Sequence, residues 1–211
     1  MNVKKLKPVK QVEILILAAG KSSRMDGRNK LLEPLNSSTL LEHVVKEALN
    51  SKTTQVSVIL PTKKSKLWDL LEHYPVDRLL VQDSQVGMGY SISCGMINIK
   101  KRKSDGVLIL LADMPEIKCN HLDFMIQAFN ENSSKSIIRA TSKNKPGNPV
   151  LFSSNFYQEL AQLKGDSGAK KIIIANQQSV LDIALPGNIA LIDLDTPEQW
   201  KAWKKKDNLL S

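Results

Sequence analysis

The sequence predicts an α/β fold in which helices cover a mainly parallel β-sheet. Short apolar or β-branched runs alternate with longer stretches of helical spacing, which is the pattern of βαβ units. The chain has 211 residues and 42% hydrophobic content, enough to bury one full core. We therefore predict a single domain over residues 12–205, with a basic N-terminal tail at 1–11 and a short C-terminal tail at 206–211.

The individual elements follow from the pattern in chain order. Continuous apolar runs predict strands at 14–19, 56–60, 78–81 and 107–112. Helical spacing predicts helices at 38–50, 64–73, 89–99 and 121–130. Two further strands, at 136–140 and 147–152, flank the turn-rich segment TSKNKPGN. The rest of the chain predicts a helix at 166–178, weak strands near 180–184 and 189–192, and a final helix from Thr196.

Polar segments follow three of these strands, and the first is LAAGKSSRMDGRNK at residues 17–30. It contains Gly-Lys-Ser, the end of a P-loop, but the glycine that a P-loop needs five residues before Gly20 is replaced by Leu15. Four cations follow the strand instead: Lys21, Arg24, Arg28 and Lys30. They would repel one another unless they shared an anion, so we predict polyphosphate binding here. An exposed polar loop is the alternative.

Carboxylates near the end of the fourth strand and near the C-terminus are candidate metal ligands. VLILLADMP places Asp113 directly after a wholly apolar strand, where it could bind Mg²⁺ while phosphates and water complete the octahedron. A turn or helix-capping role is the alternative. In IDLDTPEQW, Asp193 and Asp195 would point the same way in an extended chain. One of them could be a second metal ligand, and Asp195 or Thr196 could instead cap the next helix.

A pair of glycines precedes the third predicted helix. QVGMGYS places Gly87 and Gly89 after the strand at 78–81. Small residues there would let a flat base lie against the backbone, and the helix N-terminus favours anions. A tight turn is the alternative.

Composition narrows the class of partner. Lys and Arg exceed Asp and Glu by nine, which suits a phosphate-bearing partner. The basic runs at 63–66 and 100–103 lack interleaved aromatics, so we expect no nucleic-acid binding. The apolar run at 14–19 is too short to span a bilayer, so we expect no membrane partner. Cys94 and Cys119 form neither a disulfide framework nor a metal-ligand spacing, so a reducing cytoplasm is the expected location.

Six segments occur in the order seen in the nucleotidyltransferases that act on molybdopterin: LAAGKSSRMDGRNKLLEPL, GMGYSISCG, LLADMP, KPGNPVLF, GDSGAKKII and IDLDTPEQW. Over residues 12–205 the chain resembles the molybdenum cofactor cytidylyltransferases and their relatives. The resemblance implies a Rossmann-like, three-layer nucleotidyltransferase fold. It also implies an enzyme that joins CTP to the phosphate of molybdopterin, uses Mg²⁺ and releases pyrophosphate.

The resemblance also implies roles for particular residues. Arg24, Lys30 and Asp113 would be catalytic, and Asp113 and Asp195 would hold Mg²⁺, with Asp193 the less expected second ligand. PGNPV and GDSGAK would line the acceptor side. The residues expected to bind substrate are Leu17, Ala18, Ala19, Gly20, Arg24, Lys30, Gly87, Met88, Gly89, Ser91 and Asn148.

Two departures from the family pattern bear on the substrates. Arg24 and Lys30 are six residues apart, a spacing that resembles the guanylyltransferase branch, so GTP is the alternative nucleotide. Asn148 stands where a histidine is common, and an amide cannot titrate, so we expect no acid–base role there. Another small phosphate acceptor, or a non-catalytic molybdopterin-binding chaperone, is the alternative function. A molybdoenzyme or a chaperone is the expected recipient of the product.

Overall fold

The computed structural model describes residues 8–81 and 87–207, so residues 1–7 and 208–211 of the predicted tails lie outside it. The strands are β1 (Val12–Leu17), β2 (Pro34–Leu35), β3 (Ser38–Thr39), β4 (Gln55–Leu60), β5 (Asp77–Leu80), β6 (Gly106–Leu111), β7 (Ile137–Ser142), β8 (Lys145–Ser153) and β9 (Val180–Ala184). The helices are α1 (Leu40–Leu49), α2 (Lys66–Leu70), α3 (Met88–Arg102), α4 (Cys119–Glu131), α5 (Tyr157–Leu160), α6 (Lys170–Ala175) and α7 (Pro197–Asp207).

Seven strands form one sheet, in the order β5-β4-β1-β6-β8-β7-β9. The four strands β5, β4, β1 and β6 run parallel, whereas β8 is antiparallel to both β6 and β7, and β7 and β9 are parallel. The small β2–β3 hairpin lies outside this sheet. The predicted α/β fold with a mainly parallel sheet is confirmed.

Two apolar layers enclose the sheet. One packs α1, α2, α4 and α7 on the face that presents Ile14 and Ile16, and the other packs α3, α5 and α6 on the face that presents Leu15. All three β1 side chains have no exposed surface. Burial on both faces explains why the central strands are continuous apolar runs rather than alternating ones. Within the described residues, no helix combines the length and apolar character that crossing a bilayer requires.

Some predicted elements were wrong in extent or type. The run at 189–192 is no strand but a 3₁₀ turn at Ile189–Leu191. It packs against β8 with Ala190 buried, and a side chain on Gly147 would lie 2.1 Å from the Ala190 carbonyl oxygen. The predicted helix at 166–178 is reduced to α6 and a 3₁₀ turn at Gln177–Ser179, because Gly168 has a left-handed φ of +52°.

The first strand is displaced towards the N-terminus relative to the prediction. It ends at Leu17 rather than at residue 19, although the Ala18 N–H still donates to the Ile59 carbonyl of β4 at 3.0 Å. The predicted helix at 64–73 is only the five-residue α2. Leu17 and Leu111 are paired directly in the β1–β6 register. The segments that follow these two residues therefore leave the sheet at the same edge.

Candidate active site

A cavity of about 570 Å³ opens at the carboxyl ends of β1 and β6. Its walls come from the loop after β1, the start of α3, the segment after β6, and the segment before α7. The side chains that carry charge into it are Lys21, Arg24, Lys30, Asp113, Asp166, Asp193 and Asp195. We call this space the first cavity.

Two carboxylates and two cations form an ion-pair cluster in the first cavity. The Lys30 ammonium donates to one oxygen of Asp113 and to one oxygen of Asp195, and the Arg24 guanidinium donates to the other oxygen of Asp195. The side chains of Lys30, Asp113 and Asp195 are only 12–16% exposed, whereas Arg24 is 68% exposed. Lys30 is therefore a partly buried cation between two carboxylates, and Arg24 covers the cluster from the solvent side.

The loop after β1 is held in place by its own contacts. Met25 is 1% exposed and anchors the middle of the loop in the core. The Lys30 N–H donates to Ser22 Oγ at 3.2 Å, and the Asn29 side chain caps the 3₁₀ turn that begins at Lys30. Lys30 consequently enters the first cavity from a fixed turn, whereas Arg24 lies on the exposed part of the loop.

The two carboxylates are tied together by backbone. The Leu194 N–H donates to the Asp113 carbonyl at 3.1 Å, which places Asp195 beside Asp113. Thr196 and Gln199 cap α7 reciprocally, since each backbone N–H donates to the other's side chain. The helix-capping alternative therefore falls to Thr196, and both Asp195 oxygens accept from cations.

The charges in the cluster shift the protonation of its members. Burial lowers the pKa of Lys30, but the charges and hydrogen bonds of Asp113 and Asp195 outweigh burial and raise it. Lys30 therefore stays an ammonium near neutral pH. Burial, helped by the negative charges of Asp195 and Asp113, raises the pKa of Asp193. Asp193 lines the first cavity, but within the described residues it forms no ion pair with Lys30.

The donor set around Asp113 fits a divalent metal. Asp113 Oδ1 is buried and accepts no hydrogen bond from the described residues. An unpaired carboxylate oxygen is costly unless something else satisfies it. Among the residues that the structure describes, no three acidic, histidine or cysteine side chains are arranged around a metal position. Two carboxylates nevertheless suit Mg²⁺, which is commonly held by one or two carboxylates together with substrate phosphates and water.

Replacing Lys30 tests this interpretation without any turnover. We expect Lys30→Met to lower the free energy of unfolding by about 3 kcal/mol, because it leaves two partly buried carboxylates without their shared cation. Millimolar Mg²⁺ should restore more stability to the variant than to the wild type. Urea unfolding with and without Mg²⁺ measures both quantities.

Lys21→Met is the matched control, because Lys21 is an exposed cation of the same cavity. This substitution should change the free energy of unfolding by about half a kcal/mol or less. Equal responses of Lys30→Met and wild type to Mg²⁺ would contradict the metal position.

Most of the sequence-predicted residues lie together in the first cavity. Its lining includes Leu17, Ala19, Gly20, Arg24, Lys30, Gly87, Met88, Ser91, Asp113 and Asp195. Ala18 is 1% exposed and lies in the core behind the wall. Gly89 is buried, and its N–H donates to the Gly165 carbonyl at 2.8 Å. Arg28 turns away from the expected four-cation group and pairs with Glu33 at 3.3 Å.

Packing against a distant loop explains why positions 87 and 89 are glycine, which the sequence did not indicate. Gly87 has a φ of +90°, and a side chain there would lie 2.0 Å from Asp166 Oδ1 and 2.7 Å from the Gly165 carbonyl oxygen. A side chain on Gly89 would lie 2.9 Å from the Lys164 carbonyl oxygen. The two glycines admit the loop at 164–166 against the start of α3. No local pattern indicates a partner so distant in the chain.

A second cavity of about 530 Å³ adjoins the first. Met88 and Leu111 line both cavities, so the two spaces share a wall. The second cavity is mainly apolar, with Ile109, Val150 and Phe152 of the sheet on one side and α6 on the other. Asn148 lies here, as do the neighbouring residues of PGNPV and the residues Ser167–Lys170 of GDSGAK. Arg139, which the sequence analysis did not single out, also lines it.

Comparisons with known proteins identify the family to which the chain belongs. Residues 14–180 match the family described as the MobA-like NTP transferase domain. The chain is 32% identical to the purine catabolism protein PucB of Bacillus subtilis, over 88% of this chain and 92% of PucB. It is 30% identical to the bifunctional protein GlmU of Campylobacter lari over 78% of this chain, but spans only 37% of GlmU.

Solved structures share the fold. A homologue of Rv0371c from Mycobacterium sp. strain JC1 superposes with a TM-score of 0.82 at 26% identity, covering 95% of this chain and 98% of that chain. A CMP:2-keto-3-deoxy-manno-octonic acid synthetase in complex with CTP superposes with a TM-score of 0.74 at 13% identity, covering 95% and 100% of the two chains. The family match spans most of the chain, and PucB is related over nearly its whole length. The chain belongs to the MobA-like NTP transferase family and is a nucleotidyltransferase.

Proposed function

We propose that this protein transfers the nucleotidyl group of CTP to the phosphate of a molybdopterin-type acceptor, in a Mg²⁺-dependent reaction that releases pyrophosphate. The observation that carries the proposal is the pair of adjoining cavities. The first holds cations and carboxylates suited to a triphosphate and its metal, and the second is mainly apolar and suits the ring system of an acceptor. Their shared wall at Met88 and Leu111 would bring the acceptor phosphate next to the nucleotide.

The chemistry required of the protein is modest. A phosphate monoester is largely dianionic near neutral pH, so its oxygen can attack the α-phosphorus without a strong base. The bond from the α-phosphorus to the acceptor oxygen forms as the bond to the departing pyrophosphate breaks. Within the described residues, nothing next to the cluster resembles a nucleophilic triad, and none is needed. The task of the site is alignment and charge neutralisation.

Each residue of the cluster has a place in this scheme. Lys30 keeps its proton, because Asp113 and Asp195 raise its pKa, and so acts as a fixed positive charge rather than as a base. Arg24 is exposed enough to reach an incoming phosphate. Asp113 and Asp195 are the residues that would hold Mg²⁺. The metal would offset the negative charge that develops on the leaving pyrophosphate.

The relatives support parts of the proposal. The chain of the CTP complex has this fold, and a structure of Rv0371c from Mycobacterium tuberculosis contains manganese. PucB belongs to purine catabolism by name. The choice of molybdopterin rests on the sequence resemblance. We further propose a cytoplasmic reaction, in keeping with two free cysteines, and delivery of the product to a molybdoenzyme or its chaperone.

A competition assay tests the nucleotide. With Mo-molybdopterin as acceptor, we expect CTP to be used with a kcat/KM at least about tenfold above that of GTP, which corresponds to about 1.4 kcal/mol. The measurement is pyrophosphate release with both nucleotides present, followed by identification of the nucleotide consumed. The six-residue spacing of Arg24 and Lys30 makes GTP the competitor to include.

Other outcomes of the same assay separate the alternatives. Consumption of GTP as efficient as that of CTP would reverse the nucleotide assignment. Pyrophosphate release with a different small phosphate acceptor, but not with molybdopterin, would overturn the acceptor. Molybdopterin binding without pyrophosphate release from either nucleotide would indicate the non-catalytic chaperone.

A further inference from the structure

An arginine interrupts the apolar face of the sheet inside the second cavity. Arg139 lies in the middle of β7, two residues after Ile137, which is fully buried in the core on the α3, α5 and α6 side. Side chains two apart on a strand share a face, so this position would ordinarily be apolar. The Arg139 side chain is only 13% exposed, and it lines the second cavity.

Asp182 on the neighbouring strand holds Arg139 in one orientation. Arg139 and Asp182 are directly paired in the parallel β7–β9 register. Arg139 Nε donates to Asp182 Oδ1 at 2.7 Å, and Nη2 donates to Oδ2 at 2.9 Å. This bidentate contact uses one edge of the planar guanidinium. Among the described residues, Nη1 has no hydrogen-bond partner, so the opposite corner keeps unused N–H donors.

The pair is poorly explained as a source of stability. The Asp182 side chain is 49% exposed, and an ion pair with a solvent-exposed partner contributes little to stability. A donor without a partner among the described residues, on a side chain that lines a mainly apolar cavity, is instead the arrangement of a ligand site, where few polar groups fix the orientation of a mainly apolar ligand.

The charge balance selects the kind of ligand group. Asp182 neutralises the charge of Arg139, so the remaining N–H groups of Arg139 suit a neutral carbonyl oxygen better than a second phosphate. Lys170, the other charged side chain in the lining of the second cavity, is exposed to solvent. The phosphate of the acceptor has its own cations in the first cavity, where Arg24 and Lys30 lie. The ring of the acceptor would then occupy the second cavity between apolar walls.

We propose that Arg139, positioned by Asp182, determines acceptor specificity by donating a hydrogen bond to a carbonyl oxygen on a flat heteroaromatic ring, the chemical class to which pterins belong. The inference rests on the proposed function and names the group that recognises the ring of its acceptor. Arg139 is the binding residue, and Asp182 is a positioning residue that acts through it.

The test measures binding of the ring apart from turnover. The probe is 6-hydroxymethylpterin, titrated with protein and followed by its fluorescence. Arg139→Met should weaken pterin binding at least about tenfold, as expected for loss of a hydrogen bond from a charged group. Arg139→Lys keeps the charge but loses the planar fork, so it should also bind several-fold more weakly. Asp182→Asn should have an intermediate effect. None of these variants should change the affinity for CTP with Mn²⁺.

Arg78→Met is the matched control. Arg78 also lies on a strand of the sheet, but it stacks on Trp68 and donates to the Trp68 carbonyl at 2.9 Å, away from both cavities. It should bind pterin like the wild type. Thermal melting of each variant checks folding, and if Arg139→Met is unfolded, Arg139→Lys decides.

The outcomes separate this inference from the proposed function. Wild-type protein that does not bind the pterin, or a folded Arg139 variant that binds it normally, would overturn the inference. A lower melting temperature with unchanged pterin affinity would show a purely structural ion pair, and would also overturn it. If the wild type binds the pterin through Arg139 but releases no pyrophosphate from CTP and Mo-molybdopterin, the inference stands and the proposed reaction is wrong.

Discussion

Asp113→Asn is expected to slow pyrophosphate release by about a hundredfold or more, which corresponds to about 2.7 kcal/mol of transition-state stabilisation. The substitution keeps the size of the side chain and one acceptor oxygen but removes its charge. Asp113 accepts from Lys30 through one oxygen, and its other oxygen is buried without a partner among the described residues. A neutral amide would weaken the hold on a hard cation, leaving the departing pyrophosphate less neutralised.

The experiment compares rates across a Mg²⁺ titration, with melting curves for each protein. Asp105→Asn is the matched control, because Asp105 lies at the opposite end of β6 and its side chain accepts from the Gln11 N–H at 2.8 Å. It should retain the wild-type rate. If folded Asp113→Asn turns over within a few-fold of the wild type at limiting Mg²⁺, Asp113 is a structural residue and its metal assignment is wrong.

Arg24→Ala is expected to reduce turnover by on the order of a hundredfold to a thousandfold while leaving the fold intact. Removing one group that stabilises developing charge in a transition state has an effect of this size. Arg24 is 68% exposed, and its ion pair is with Asp195 alone among the described residues, so its loss should change stability by about half a kcal/mol. Pyrophosphate release and thermal melting measure the two effects.

Arg28→Ala provides the comparison for Arg24. Arg28 belongs to the same loop, is 54% exposed, and pairs with Glu33 instead of lining the first cavity. Its removal deletes the same charge from the same loop, so any general electrostatic effect would appear in both variants. Near-normal turnover by Arg24→Ala, or an equal loss in Arg28→Ala, would contradict a specific contact of Arg24 with the triphosphate.

The fold was predictable where burial alone shapes the sequence. The strand β6 has apolar side chains on both faces, and few other structures bury so short and continuous a run. The same signal failed at 189–192, because a 3₁₀ turn can also pack against the sheet, where Gly147 leaves room for the buried Ala190. Periodicity shows that a segment is buried, but the partner that buries it is often distant in the chain.

The candidate site was predictable to the level of strand ends. Lys30 and Asp113 were expected after strands, and Asp195 was expected as a second metal ligand with Asp113; the structure places Lys30 in contact with both carboxylates. That Lys30 bridges both carboxylates depends on a packing arrangement that no local pattern encodes. The sequence did not indicate a binding role for Arg139, because a single arginine within IIRATS is typical of an ordinary strand. The proposed role of Arg139 depends on its ion pair with Asp182, and only the β7–β9 pairing brings the two residues together.

The ion-pair cluster can form only late in folding. Lys30 is 83 residues from Asp113 and 165 residues from Asp195, so the cluster cannot form until most of the sheet and the segment before α7 have come together. Contacts that close such long loops lose much chain entropy before they gain energy. A partly folded chain would therefore lack the cluster that we propose binds the triphosphate. If nucleotide and metal bind as we propose, they bind only the folded chain, and they stabilise it by an amount that grows with the logarithm of their concentration.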